Sequence, residues 1–310
     1  MDISYLLLLQ DLRNHVPAFW TTFFQQLSHF SVSYLFLVPL FIYWAVDKRR
    51  GLFTLASFHL SIALDMLIKL TACVYRPWVK DLRLVPVQKS WGYSFPSGHA
   101  AIATPVYGSL AAFFWRRKSM KWVAVLCILC ILLTAFSRNF LGVHTPQDVG
   151  VGMAVGGFSL WVMGKIFADL EKHPERENYF LAGTIIAAVA ALVYVTFKAY
   201  PIDYLDGKIL VDPAKGIQDG YEYLGALIAF CAARYTERRW IGFKVTGWTL
   251  KGVVLCIIGL ALMGLMMVCL PHPLKALCGA WWGRFWLAWA LVWFGIALWP
   301  LVLKLACAKK

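Results

Sequence analysis

The chain has 310 residues, of which 60% are hydrophobic and 15% are charged. A soluble domain carries roughly 25% charged residues, so this composition excludes an ordinary soluble enzyme. The formal net charge is +14, but most Lys and Arg residues stand in short clusters between apolar stretches. Cytoplasmic loops of membrane proteins carry their charge in this way. The composition therefore indicates an integral membrane protein in a bilayer and argues against a nucleic-acid-binding protein.

The predicted elements begin with residues 1–28, where polar and apolar side chains mix. This pattern predicts an amphipathic helix that lies in the membrane interface. Apolar stretches of about 20 residues, long enough to span a bilayer, recur after it. The predicted spans lie at about 30–46, 52–75, 98–115, 121–137, 148–168, 179–198, 220–236, 252–270 and 284–304. The predicted fold class is all-α, a polytopic membrane helix bundle of about nine transmembrane helices.

Basic clusters follow every second predicted span and give the expected orientation. They include Lys48 to Arg50, Arg116 to Lys118, and Arg238 with Arg239. The positive-inside rule places these connections in the cytoplasm. We therefore expect the N-terminus and the loops at about 76–97, 138–147, 199–219 and 271–283 to face outward.

The first outward cluster contains Lys69, Arg76 and Pro77. Seven residues make nearly two helical turns, so Lys69 and Arg76 share one helix face. Asp65 lies one turn before Lys69, and it either positions Lys69 or compensates its charge within the membrane. Taken alone, the cluster is more typical of a pair of interfacial cations at a helix end.

The second cluster is Phe95-Pro96-Ser97-Gly98-His99, at the outward start of the third predicted span. Ser97 is a favourable N-cap, and Gly98 allows an anion to approach the backbone closely. Free N–H groups and the helix dipole make such a terminus suited to phosphate. The alternative is an ordinary cap followed by an interfacial histidine.

The third cluster lies between the fourth and fifth predicted spans and contains Ser137, Arg138, His144 and Asp148. Asp148 follows His144 by four residues, close enough to accept the imidazole N–H. Such a hydrogen bond would fix the tautomer and support positive charge on the ring. The alternative is a polar loop that happens to contain this pair.

All three clusters fall on the same predicted face, although other residues set the orientation. Together they bring three cations, two histidines and a carboxylate to that face, and ionisable residues at membrane depth are functional by default. The set lacks the several carboxylates that a Mg²⁺ or Zn²⁺ phosphatase needs. We therefore expect no metal and no other cofactor.

The clusters resemble the three-part signature of the type-2 phosphatidic acid phosphatase superfamily, over about residues 50–165. Its parts correspond here to Lys69-x6-Arg76-Pro77, Pro96-Ser97-Gly98-His99 and Ser137-Arg138-x5-His144-x3-Asp148. The resemblance implies that His144 is the nucleophile and forms a phosphohistidine. It implies that His99 protonates the leaving group and that Asp148 orients His144. It also implies phosphate-binding groups, which are Lys69, Arg76, Ser97, Gly98 and Arg138.

The expected organisation is an interfacial helix at 1–28, a catalytic phosphatase core at 29–168 and a four-helix membrane extension at 169–310. A phosphorylated lipid is the expected substrate, such as phosphatidic acid, phosphatidylglycerol phosphate, a polyprenyl diphosphate or a sphingoid-base phosphate. The nine-span layout is similar to the glucose-6-phosphatase and sphingosine-phosphate phosphatase branches, so a sugar phosphate is the alternative substrate. A transporter is a further alternative, although no paired half-sequences indicate inverted repeats.

The expected location is a bacterial inner membrane or an endoplasmic-reticulum-like membrane. The active site is expected on the periplasmic, extracellular or lumenal face.

Overall fold

A computed structural model describes residues 2–205 and 207–307. A two-residue antiparallel hairpin pairs Tyr204 with Ile209, and nearly all the other described elements are helical. The α-helices are α1 (Asp2–His15), α2 (Ala18–Ser33), α3 (Leu37–Phe41), α4 (Lys48–Ala72), α5 (Pro77–Lys80), α6 (Gly98–Trp115), α7 (Lys121–Phe140), α8 (Pro146–Lys172), α9 (Glu177–Phe197), α10 (Pro213–Thr236), α11 (Leu250–Cys269), α12 (Pro271–Trp293) and α13 (Trp299–Cys307). Short π-helical segments follow α3, α10 and α12. The predicted all-helical class is confirmed.

Six helical segments of the described chain are long and apolar enough to cross a membrane. They are Lys48–Lys80, Lys118–Phe140, Pro146–Lys172, Pro174–Phe197, Leu250–Cys269 and Pro271–Cys307. A seventh span arises if α2 and the segment Leu37–Val46, which meet at a bend of 47°, are counted as one. The chain is thus an integral membrane protein with about six or seven candidate spans.

The predicted number of nine spans is not confirmed, because two of the predicted helices are too polar to qualify. The helix α6 carries His99, Pro105 and Ser109 within 18 residues. The first two turns of α10 contain two charged residues, Lys215 and Asp219. Such polar residues lower the mean hydropathy of a helix, and spans are assigned from this mean hydropathy.

The N-terminal region differs from the single interfacial helix predicted over 1–28. The helix α1 ends at His15, and α2 begins at Ala18 after Pro17, whose ψ of 143° is extended. Proline has no N–H group to continue a helix, so the chain breaks there. The helix α2 then runs to Ser33, past the predicted boundary at 28. An interfacial location of this region is not confirmed.

The described chain divides into two compact units. The first unit comprises Met1–Leu35, Leu64–Trp161 and Ala199–Gly216, and the second comprises Phe36–Ala63, Val162–Lys198 and Ile217–Lys310. All the residues of the three sequence clusters fall in the first unit. The predicted division at residue 168 stays a prediction.

In the first unit, close packing of α8 on the start of α6 depends on two glycines. A Cβ atom on Gly152 would lie 2.5 Å from the backbone oxygen of Ser97, and one on Gly156 would lie 2.6 Å from Thr104. Small residues four apart on a helix let two backbones approach closely. The backbone N–H of Ser97 also donates to the carbonyl of Asp148 over 2.9 Å. The second and third sequence clusters are therefore in direct contact.

The second unit has its own apolar core. Trp44 and Tyr43 are fully buried and donate to the carbonyls of Gly295 and Ile296. Trp299 and Leu303 of α13 pack into the same cluster. Burial gives a large aromatic side chain extensive apolar contact, and the hydrogen bond of its polar atom fixes its orientation.

The predicted orientation can be tested by chemical labelling. Gln88 lies in a predicted outward loop and Ser119 in a predicted cytoplasmic connection, and both side chains are exposed. In intact cells, a cysteine introduced at Gln88 should react with an impermeant maleimide, whereas one at Ser119 should react only after permeabilisation. Mass spectrometry of the labelled peptides would distinguish these sites from the native cysteines. The opposite pattern would reverse the topology.

Candidate active site

The guanidinium of Arg76 joins two loops of the first unit. It follows α4 and is 7% exposed. Its Nε and Nη2 donate to the carbonyls of Gly92 and Trp91 over 3.1 and 3.0 Å, and its Nη1 donates to the carbonyl of Val143 over 3.0 Å. The planar fork of arginine suits this multiple attachment, which lysine cannot reproduce. Arg76 thereby fixes the loop before α6 against the loop before α8.

The same guanidinium defines the tautomer of His144. Nη1 of Arg76 lies 2.9 Å from Nε2 of His144. A guanidinium can only donate, so Nε2 must present its lone pair, and the single proton of a neutral imidazole is then on Nδ1. The sequence predicted an oriented imidazole, and in this geometry Nε2 is the unprotonated ring nitrogen.

Asp148 lies on the Nδ1 side of His144, and the helix cap of α8 holds it there. Its Oδ2 is 3.5 Å from Nδ1 of His144. The N–H of Thr145 donates to Oδ2 over 2.8 Å, while the N–H of Asp148 donates to Oγ1 of Thr145 over 3.2 Å. This reciprocal arrangement is a capping box, which satisfies free N–H groups at a helix start. The carboxylate that faces His144 is therefore also part of the local fold.

Ser94 completes this arrangement, although the sequence analysis did not select it. Its hydroxyl donates to Oδ2 of Asp148 over 2.5 Å and lies 3.4 Å from Nδ1 of His144. All three side chains are buried. Ser94 stands three residues before Ser97, and a polar residue so close to the second cluster is the signal that could have identified it.

Lys69 and Asp65 form the predicted pair one helical turn apart on α4. Nζ of Lys69 is 3.6 Å from Oδ2 of Asp65, and it also donates to the carbonyl of Pro96. The second carboxylate oxygen of Asp65 is buried and has no hydrogen-bond partner among the described residues. This geometry allows Asp65 to position Lys69 and equally to balance its charge.

Ser97 and Gly98 begin α6 as the sequence predicted. Ser97 is the residue before the first helical turn, and its buried hydroxyl has no partner in the described chain. The first N–H groups of a helix also have no partner within the helix, which leaves those of Gly98 and His99 available. A hydroxyl and free N–H groups at one helix start can bind phosphoryl oxygens.

Arg138 lies near the end of α7 and is 5% exposed. Its Nη1 donates to the hydroxyl of Ser28 on α2, while its Nε is buried without a partner among the described residues. The backbone carbonyl of Arg138 accepts from the N–H of His144 over 3.3 Å. The neighbouring Asn139 donates to the carbonyl of His144 over 2.9 Å. The loop that carries His144 is thus attached to the end of α7 through the backbone N–H and carbonyl of His144.

His99 lies in the first turn of α6, and its ring interacts electrostatically with the charges of Arg138, Arg76 and Lys69 and with the His144 ring. The two histidines and three cations selected from the sequence are therefore close enough to influence one another. Burial, and then the charges of Arg76, Arg138 and Lys69, lower the pKa of the His144 imidazole well below its usual range. A lowered pKa keeps the ring neutral, as a nucleophile requires.

Comparison with known proteins bears on the family resemblance. Residues 50–172 match the family model of the PAP2 superfamily. This PAP2 segment contains every residue of the three clusters, and the resemblance inferred from the motifs is confirmed over it.

Three curated relatives are similar to parts of the chain. An undecaprenyl-diphosphatase of Sulfolobus acidocaldarius is 30% identical over 136 residues, which cover 43% of this chain and 63% of the relative. Phosphatidylglycerophosphatase B of Bacillus subtilis is 33% identical over 97 residues, 29% of this chain and 45% of the relative. A lipid A 4′-phosphatase of Bacteroides thetaiotaomicron is 30% identical over 79 residues, 26% of this chain and 33% of the relative. The chain therefore spans less than two thirds of each relative's length. No solved structure matches the chain.

The helix α1 supports the PAP2 segment through contacts that the sequence did not indicate. Arg13 donates to the carbonyls of Phe140 and Val85 over 2.9 and 2.7 Å. Gln10 accepts from the N–H of Val85 and donates to the carbonyl of Arg83. Residues of the predicted interfacial helix thus hold the loop after α5 and the end of α7.

The contacts of Ser94 generate a prediction about the PAP2 segment. Ser94→Ala removes the hydroxyl that fixes Asp148 beside His144. A hydrogen bond to a charged group contributes about 1.5–3 kcal/mol, so we expect kcat to fall at least about tenfold. KM should change little, because Ser94 contacts His144 and Asp148 and not the cations that are expected to bind phosphate.

The matched control for this prediction is Ser90→Ala, in the same loop. It should leave both constants unchanged when phosphate release is measured on purified protein. An unchanged kcat in Ser94→Ala would show that Asp148 is held without its help.

Proposed function

We propose that this protein is an integral membrane phosphatase that hydrolyses a phosphate ester or diphosphate of a lipid through a phosphohistidine at His144. The observation that carries the proposal is the contact between Arg76 and Nε2 of His144. It directs the nucleophilic lone pair toward a cationic group, where a phosphoryl group would bind. On substrate binding, the guanidinium would transfer this hydrogen bond to a phosphoryl oxygen and free the Nε2 lone pair for in-line attack at phosphorus.

In the proposed first step, Nε2 of His144 attacks phosphorus, and the bond from phosphorus to the leaving oxygen breaks. His99 donates a proton to that oxygen, so the lipid departs as a neutral alcohol or, from a diphosphate, as a singly protonated phosphate monoester. Lys69, Arg76 and Arg138, with the helix start at Ser97 and Gly98, bind the phosphoryl oxygens throughout. Asp148 supports the positive charge that develops on the imidazole.

In the second step, water attacks phosphorus and the bond from phosphorus to Nε2 breaks. His99 now accepts the proton of the water, which returns both histidines to their starting states. The charge that stabilises phosphate comes from Lys and Arg side chains in this scheme. We accordingly propose that the reaction needs no metal ion and no other cofactor.

A lipid substrate is supported by what the relatives have in common. Their names describe phosphatases of an isoprenoid diphosphate, a glycerophospholipid phosphate and a phosphorylated lipid A. Each carries phosphate on a head group with apolar tails, which suits a site in a membrane protein. We propose that the active face is the outward one, as the positive-inside rule predicts.

A phosphate-release assay tests the proposal. Purified protein in detergent with excess EDTA should release phosphate from dioctanoyl phosphatidic acid and farnesyl diphosphate at least about tenfold faster than from glucose 6-phosphate. The short lipids carry both the phosphate and an apolar tail, whereas glucose 6-phosphate lacks the tail.

The control is His144→Ala, purified in the same way, which should release no phosphate above the background hydrolysis. A preference for glucose 6-phosphate would indicate a sugar-phosphate phosphatase instead. Loss of activity in EDTA that Mg²⁺ or Zn²⁺ restores would contradict the metal-free scheme, and absence of any release would favour the transporter alternative.

A further inference from the structure

The second unit contains a cavity of about 570 Å³ that the phosphatase chemistry does not use. Four helices line it, and all of its lining residues belong to this unit. Each helix contributes charged residues at or near its end, and these residues are Lys48 and Arg49 of α4, Glu171 of α8, Glu177 of α9 and Arg234 of α10. The cavity therefore has a charged end built from four helix termini.

The apolar residues of the cavity lie one turn farther along each helix. They are Leu52, Phe167, Leu181 and Phe230, each four residues from the charged residue of its own helix. Four residues advance a helix by about 6 Å. Ala56, Met163 and Leu227 line the cavity roughly two turns from the charged residues. All four helices thus change from charged to apolar in the same direction, and the cavity is amphipathic along its length.

The charged end is a connected network of ion pairs. Glu237, which is fully buried, lies 2.5 Å from Nζ of Lys48 and 2.7 Å from Nη1 of Arg234. Glu177 lies 2.7 Å from Arg234 and 2.9 Å from Arg238. Ionisable groups are costly to bury, and in a membrane protein they are functional by default.

The network carries a surplus of positive charge. Arg49 and Glu171 pair through two contacts of 2.7 Å and balance each other at the exposed edge. The remaining charged lining residues are three cations, Lys48, Arg234 and Arg238, and two carboxylates, Glu177 and Glu237. One positive charge remains, so the charged end of the cavity favours an anion.

We propose that this cavity binds an anionic phospholipid, with the phosphate at the charged end and an acyl chain along the apolar walls. The charge surplus matches one phosphodiester, and the apolar walls match a hydrocarbon chain. The connections that contribute the charges are also those that the positive-inside rule places in the cytoplasm. The site would then take lipid from the cytoplasmic leaflet, where anionic lipids are abundant. The proposal stands independently of the phosphatase activity.

Photolabelling of the full chain tests this site. The protein would be reconstituted in phosphatidylcholine vesicles with trace phosphatidylglycerol that bears a diazirine on one acyl chain. Mass spectrometry should find the label on peptides that contain Phe167, Leu181 or Phe230. A phosphatidylcholine probe with the same diazirine chain should label these peptides at least about fivefold less, because it carries no net negative charge.

Two variants and their matched controls make the test specific. Leu181→Trp narrows the apolar part of the cavity without a change of charge, and Arg238→Gln removes one cation and with it the net positive charge. Each should lower labelling by phosphatidylglycerol at least about fivefold while the protein stays monodisperse. Ile186→Trp is on the same helix but 70% exposed and outside the lining, and it should label normally. Arg116→Gln removes a charge from another exposed connection and should also label normally.

Three results would overturn the proposal. Equal labelling by the two probes would show that the charged end does not select an anion. Undiminished labelling in monodisperse Leu181→Trp would place the lipid elsewhere. Competition by glycerol 3-phosphate as effective as that by dihexanoyl phosphatidylglycerol would identify a site for a water-soluble anion.

Discussion

The candidate active site depends on keeping cations buried beside a neutral His144. Arg76 is the clearest case, because it is 7% exposed and no carboxylate among the described residues pairs with it directly. Three backbone carbonyls and one imidazole nitrogen accept its hydrogen bonds, and these partners reduce the cost of burial without cancelling its charge. The pocket therefore keeps an unbalanced positive charge for an anionic ligand. The hydrogen bond from Arg76 also orients the His144 ring toward that charge.

Helix capping links this chemistry to the fold. Asp148 serves the start of α8 through Thr145 and faces His144 with the same oxygen, while Ser94 donates to that oxygen from the loop before α6. A substitution at Asp148 would therefore disturb the fold and the nucleophile together. Ser94 offers a change that separates these effects, because it contacts the site from outside α8 and through its side chain alone.

Much of the candidate site was predictable because the residues to which the resemblance assigns roles are close in sequence. His144 and Asp148 are four residues apart, and Ser97, Gly98 and His99 are adjacent, so the local chain brings each set together. The contacts of Ser28, Gln10 and Arg13 join segments more than 70 residues apart, and no local pattern indicates them. The predicted number of nine spans is not confirmed for a related reason. The apolar runs of α6 and α10 contain polar residues that lower their mean hydropathy, and α2 meets the segment Leu37–Val46 at a bend of 47°.

The measurement that tests the central claim most directly is the location of the phosphate on the trapped enzyme. His99→Ala lacks the proton donor, a contribution of roughly 10²–10⁴-fold for a general acid, but p-nitrophenolate needs little protonation to leave. Rapid mixing of His99→Ala with p-nitrophenyl phosphate should therefore give a burst of nitrophenolate, and alkaline quenching with peptide mapping should find acid-labile phosphate on His144. His144→Ala should give neither. Phosphate on His99, or a burst in His144→Ala, would contradict the assignment of nucleophile and acid.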